Sequence, residues 1–153
     1  MDAAGRIQGA EKLTSVFGYW PSFHDAEVMW LRLDRRPVFE GIYGPTLEAL
    51  IHTFEMTNDI GQDGCYILRH HVLVHFRFHD VVGSKLEDFN HQNVLFGLAV
   101  NDIRERQMEG IDFEITFSSS FGLNGCLYCR QVELVEVTPC SKDARPLPGG
   151  TKG

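Results

Sequence analysis

Apolar residues along this chain recur mostly at every second position, and its opening stretch breaks that rhythm. Ile7, Ala10, Leu13 and Phe17 recur at spacings of three and four, which lines up one helical face and predicts a helix over residues 4–17. Gly18 suits the left-handed conformation that ends a helix, and Pro21 bars its continuation. Residues 27–34 then alternate: Met29, Leu31 and Leu33 share a face with Glu27, and Val28 and Trp30 share the other with Arg32. Residues 46–57 alternate as well, with Leu50, His52, Phe54 and Met56 on one face and Ala49, Ile51 and Thr53 on the other. The turn-forming run NDIGQDG separates this segment from CYILRHHVLVHFRF, residues 65–78, so the two predict a long antiparallel hairpin.

The later elements are shorter. Residues 80–85 read as a turn, and VLFGLAV at 94–100 as a strand interrupted by Gly97. IDFEITF at 111–117 alternates, SSSFGLNG at 118–125 reads as a loop, and 126–137 reads as the last strand. In that strand Leu127, Cys129, Gln131 and Glu133 lie opposite Tyr128, Val132 and Leu134. Residues 34–44 form a connection with a short extended piece at Val38 and Phe39. Turn-sized connections between long strands force antiparallel neighbours, and no βαβ spacing exists to support a doubly wound nucleotide-binding fold. The expected architecture is α+β and mostly β: a curled antiparallel sheet of five or six long strands with one short N-terminal helix. A single domain over residues 1–138 is followed by a tail, 139–153, expected to be disordered because it holds three prolines and little apolar content.

Composition narrows the function classes. A length of 153 residues fits one domain with a real core. MDAAGRIQGAEKL at the start lacks the apolar region of a signal peptide, and no apolar run approaches the ~20 residues of a membrane span. The expectation is a soluble, cytoplasmic protein. The net charge of −7 is concentrated: residues 37–68 contain no Lys or Arg against Glu40, Glu48, Glu55, Asp59 and Asp63. Such a chain repels phosphate backbones, which disfavours nucleic acid and favours a basic protein partner.

Candidate chemistry is sparse. Cys126 and Cys129 form one CxxC, but no second pair completes a zinc site, and residues three apart on a strand face opposite ways. His71, His75 and His79 share a strand face with Arg77, yet successive ones stand ~13 Å apart, too far for one metal ion. They read as polar residues on the wetter face of a sheet. His24 and Asp25 adjoin in sequence, and in extended chain they point apart, so Asp25 is poorly placed to orient His24 as a triad would require. Their expected role is structural, with Trp20 and Phe23 as core anchors and Asp25 bonding backbone amides. Asn90, His91, Gln92 and Asn93 form either a hydrogen-bonded turn or a recognition surface, and the turn is favoured because Asn-rich loops mostly bond to themselves.

Two stretches carry more than composition. FGYWPSFHDAEV at 17–28, followed by LEDFNHQNVLFGL at 86–98, resembles the immunity protein 50 family of bacterial polymorphic toxin systems, and VELVEVTP at 132–139 is similar to the way such proteins end. The likeness runs from about Leu13 to Pro139. It implies a protein that binds and neutralises a cognate toxin encoded next to it, with no enzyme activity and no cofactor. The acidic block then points to Glu40, Glu55, Asp59 and Asp63 as partner-binding residues. Two rival readings stay open: a metal-dependent hydrolase using His24, Asp25 and His91, and a small-ligand-binding sheet with its pocket beneath the 90–93 loop.

Overall fold

The computed structural model describes residues 4–36 and 44–148. A single 3-10 turn, Ala4–Arg6, precedes the helix α1, Glu11–Phe17. Eight strands follow: β1 Glu27–Asp34, β2 Thr46–Ile60, β3 Tyr66–His79, β4 Val82–Glu87, β5 Val94–Asp102, β6 Phe113–Phe121, β7 Asn124–Cys129 and β8 Gln131–Pro139. Among the described residues no helix is long and apolar enough to cross a membrane.

The predicted helix is real but half as long as its apolar period. Gly9 takes φ +85° and breaks it. Just before that break, Gln8 joins the edge of β8, donating its N–H to Val132 O at 3.0 Å and accepting from Leu134 N at 2.7 Å. Ile7 is therefore buried from an extended segment rather than from a helical turn. At the other end Gly18 adopts φ 85° and its N–H caps Thr14 O, as the sequence indicates. A side chain at Gly9 would need a left-handed backbone and would strike the Leu134 carbonyl oxygen. Gly9→Ala is expected to lower the unfolding free energy by about 2 kcal/mol, measured by urea titration; an unchanged midpoint would refute this account of the break.

All eight strands form one antiparallel sheet in the order β4-β7-β6-β5-β1-β2-β3-β8. Asp80 and Val81 alone join β3 to β4, and Arg130 alone joins β7 to β8. Each of these short links connects strands far apart in the order, so the sheet curls until its ends approach. It stays open, with β4 and β8 as edges. The curl puts the inner faces of both halves against each other: Phe78 of β3 meets Phe117 of β6 edge-on at 6.5 Å. Phe23, Phe76, Phe113, Ile115 and Leu127 are buried in the same core, which Leu13 and Phe17 of α1 join beside β8 and β3.

Among the described residues eight strands stand where five or six were expected: one is new, one expected strand is split in two, and an expected loop is strand. The run 118–125 is not a loop: β6 continues to Phe121, pairs with β5, and turns at Gly122, φ +78°, directly into β7. β4 lies where a turn was expected; it is a mostly exposed edge strand whose polar sequence carries no core pattern. The expected last strand is two strands broken at Arg130, whose N–H donates to His79 O at 3.0 Å. That break resets the alternation, so Leu127 and Cys129 share the buried inner side with Val132 and Leu134 instead of opposing them. β1 carries a similar reset. Its register slips between Val28 and Trp30, so Val28 and Leu31 pair with inner-facing Ile51 and Ala49, while Trp30 and Arg32 pair with outer-facing Leu50 and Glu48. The faces of β2 and the β2–β3 hairpin follow the predicted pattern. In the tail, Cys140 donates its N–H to His71 O and bridges Pro146, so residues 140–148 fold back on the sheet. The extended piece expected at Val38 and Phe39 lies outside the described residues.

Candidate partner-binding face

Among the described residues the outer face of β1, β2, β3 and β8 bears no helix, yet its central charge is buried. Glu48 is 4% exposed. His75 Nε2 lies 2.6 Å from its Oε1; Arg32 approaches Oε2 at 3.2 Å and Arg77 at 3.6 Å. Cross-strand pairing creates this cluster, because Glu48 stands opposite Arg77 on β3 and opposite Arg32 on β1. Arg77 also reaches Glu133 of β8 at 3.4 Å, and His79 Nε2 lies 2.9 Å from the same oxygen. At the near end Asp34 binds both Arg32 and Arg36, and the Arg36 hydrogen bonds hold its carboxyl down to about 2. His75 and His79, expected as polar residues on the wetter face, thus belong to a lattice of carboxylates and arginines, and His79 is fully buried; His71 lies outside it. The lattice's sequence signal was the acidic residue on β2 that shares a face with the histidines of β3.

Farther along the same face, His52 Nε2 and His71 Nδ1 meet at 3.0 Å with their rings stacked. Burial holds both below the ordinary histidine value; for His52 the neighbouring His71 adds to this and Asp143 opposes it. The folded state therefore binds fewer protons than the unfolded chain, whose histidines titrate near ~6.5. This contribution is full above that pH and is lost as pH falls through it toward the lower folded values. The urea midpoint is expected to drop between about pH 7 and pH 5.5, and a His52→Gln/His71→Gln double variant to lose that part of the slope. An identical slope in the double variant would count against the pair.

The predicted partner-binding acids fall on the far end of the β2–β3 hairpin, except Glu40, which lies outside the described residues. Glu55 is not a free charge. Its Oε1 accepts from Arg69 Nε at 2.8 Å and its Oε2 from the Tyr19 hydroxyl at 3.0 Å, and these bonds hold its carboxyl below the usual range. Asp63 accepts the Cys65 N–H at 3.0 Å and so shapes the hairpin loop, while Asp59 is exposed on β2.

His24 and Asp25 sit at the opposite half of the sheet, and here the extended-chain expectation fails. Phe23 and Asp25 take φ 65° and 66°, so the chain turns sharply and brings His24 Nε2 within 3.7 Å of Asp25 Oδ1. The His24 ring donates from Nδ1 to Phe96 O at 2.9 Å, which fixes its orientation. Asp25 meets His24 rather than the backbone amides it was expected to bind; its own N–H donates to Leu95 O. Ser22 Oγ accepts the backbone N–H of His24. His91 faces the Phe121 ring. Among the described residues no group of three or more His, Cys, Asp or Glu side chains is placed to hold a metal ion. Trp20 and Phe23 do anchor the core, meeting each other and Phe76 edge-on or tilted at 5.8–6.2 Å.

This turn has a structural task. Asp25 N to Leu95 O, Leu95 N to Ala26 O and Val28 N to Asn93 O, all 2.8–2.9 Å, join β1 to β5 and hence one half of the sheet to the other. A groove of about 490 Å³ runs beside this seam, lined by Trp20, Pro21, Ser22 and residues of β5. The 90–93 loop is the self-bonded turn. Asn93, 3% exposed, accepts from Asn90 N and Leu123 N through Oδ1 and donates to Asn90 O and Val28 O through Nδ2. The cysteines are free thiols, with burial pushing Cys140 up to about 11 and Cys129 well above its ordinary value.

The described residues form an open, strongly curled antiparallel sheet with one short helix. The model of the family described as Immunity protein 50 matches residues 9–140, and the chain belongs to that family. The two stretches whose sequence resembles that family, 17–28 and 86–98, meet at the seam. No curated protein matches the chain, and no solved structure matches it.

Proposed function

We propose that this chain is an immunity protein that neutralises a cognate polymorphic toxin by stoichiometric complex formation, in the cytoplasm of the bacterium that makes the toxin. The family match over residues 9–140 supports this reading above all else. The acidic balance, −7 overall, supports a basic toxin. Glu40, Glu55, Asp59 and Asp63 are the partner-binding acids of this proposal. Among the described three, Asp59 and Asp63 supply the attraction, because Glu55 is neutralised by Arg69. Charge of this kind speeds encounter more than it tightens the complex. The reading requires neither catalysis nor a cofactor.

Co-expression with the product of the adjacent open reading frame tests the proposal. A one-to-one complex and rescue of growth are expected, with association slowing as salt rises and slowing further in Asp59→Lys/Asp63→Lys. Growth arrest that the chain does not relieve would overturn the function. A complex with unaltered association rates in the charge-reversed variant would overturn the acidic residues' role alone.

A further inference from the structure

The β2–β3 hairpin extends past its neighbours. β1 pairs with β2 only as far as His52, and β8 pairs with β3 only from Val72 onward. Among the described residues, 54–70 therefore form a two-stranded arm with no flanking strand, roughly 20 Å long at ~3.3 Å per residue. A bare ribbon of this kind is marginally stable alone, and large apolar side chains on it cost solubility.

The two faces of the arm differ. Its inner face is braced from below: Tyr19 and Arg69 clamp Glu55, and Phe17 of α1 meets His70 edge-on at 5.9 Å. Its outer face is apolar and bare. Tyr66 and Leu68 share a face by strand alternation, and their cross-strand partners Ile60 and Met56 bring it to four large side chains. They are 55%, 37%, 65% and 51% exposed in that order. Asp59, next to Ile60 in sequence, acts on Arg69 of the braced face, and Asp63 sits in the loop at the tip of the arm, bonded to the Cys65 N–H. Arg69 is the only Lys or Arg between residues 54 and 70, and Glu55 engages it. An apolar face on an arm that carries Glu55, Asp59 and Asp63 against Arg69 alone is complementary to an apolar cleft with a basic rim.

We propose that this outer face is the energetic centre of the toxin interface, with Met56, Ile60, Tyr66 and Leu68 entering an apolar, basic-rimmed cleft on the toxin. The inference rests on the immunity reading and assigns it a surface of a different character: the acids steer, and the apolar strip holds. Tyrosine in a fully desolvated pocket is a frequent hot spot of such interfaces, and the apolar contacts around it exclude water.

The test uses the full chain and the product of the adjacent open reading frame, with affinity measured by calorimetry. Tyr66→Ala/Leu68→Ala is expected to weaken binding about 100-fold with unchanged thermal melting, whereas Leu33→Ala, at the other end of the sheet, stays within about threefold. Hydrogen exchange of the unaltered chain is read alongside, and protection on binding is expected at residues 56–68. Tight binding by the double variant, or absence of that protection, overturns the arm while leaving the immunity reading intact. Should the double variant fail to fold, the exchange measurement decides alone. Failure of the unaltered chain to bind overturns the immunity reading itself. A dimer of this chain that dissociates in Tyr66→Ala/Leu68→Ala, with toxin affinity unmoved, would assign the strip to self-association and also overturn the proposal.

Discussion

Replacing Asn93 by alanine lowers the free energy of unfolding by about 3 kcal/mol, seen as a fall in the urea midpoint at unchanged slope. The side chain is 3% exposed and joins three separate segments. Its Oδ1 accepts from Asn90 N at 2.9 Å and from Leu123 N at 3.1 Å, and its Nδ2 donates to Asn90 O at 2.9 Å. Alanine leaves the Leu123 N–H, which is buried, without an acceptor, and a buried unmet donor costs ~1–3 kcal/mol. It also loosens the backbone where β5 enters the seam, because Asn93 O accepts from Val28 N. His91→Ala, two residues away and exposed, shifts stability by no more than about 0.5 kcal/mol. If both variants unfold at the same urea concentration, Asn93 does not organise the turn.

The second large effect concerns Glu48. Glu48→Ala is expected to cost about 3 kcal/mol, because it leaves His75, Arg77 and Arg32 facing one another across a space from which the carboxylate has gone. The loss is moderated by alternative partners: Arg32 keeps Asp34 and Arg77 keeps Glu133. Joint replacement of Glu48 and His75 by leucine recovers much of the stability, since removing both members of a buried pair abolishes the desolvation cost as well as the attraction. Chemical denaturation of the single and joint variants provides the check. A joint variant less stable than Glu48→Ala would show that the lattice contributes more than its own desolvation.

Strands that obey one uninterrupted alternation were legible from sequence. The two faces of β2 from Thr46 to Thr53 are an example, and the hairpin to β3 follows from NDIGQDG. What was not legible is where alternation resets. The slip after Val28 and the break at Arg130 each come from backbone hydrogen bonds made to strands distant in sequence, and no local propensity records them. β4 was missed because VGSKLE contributes little to the core, with only Leu86 partly buried. At the candidate site, the acids could be named from charge alone, but their freedom could not. Glu55 is neutralised by Arg69 across the hairpin and accepts a further hydrogen bond from Tyr19, a residue 36 positions away. The apolar strip was visible only in part: Met56 was placed on the outer face, but its pairing with Leu68 depends on a register with irregularities on both sides. His24 and Asp25 illustrate the reverse error, since two left-handed residues bring together side chains that an extended chain would separate.

The position of β8 bears on how the chain is made. β8 is the last strand in sequence, yet its partner is β3, whose other side is already paired with β2. During synthesis the β2–β3 hairpin is complete long before residues 131–139 emerge, so β3 waits with a long open edge rich in Val and Phe. An exposed edge of that composition recruits other chains. Nascent chains that stall before residue 131 are thus the aggregation-prone species. The open edge of β3 is closed only once residues 131–139 have left the ribosome.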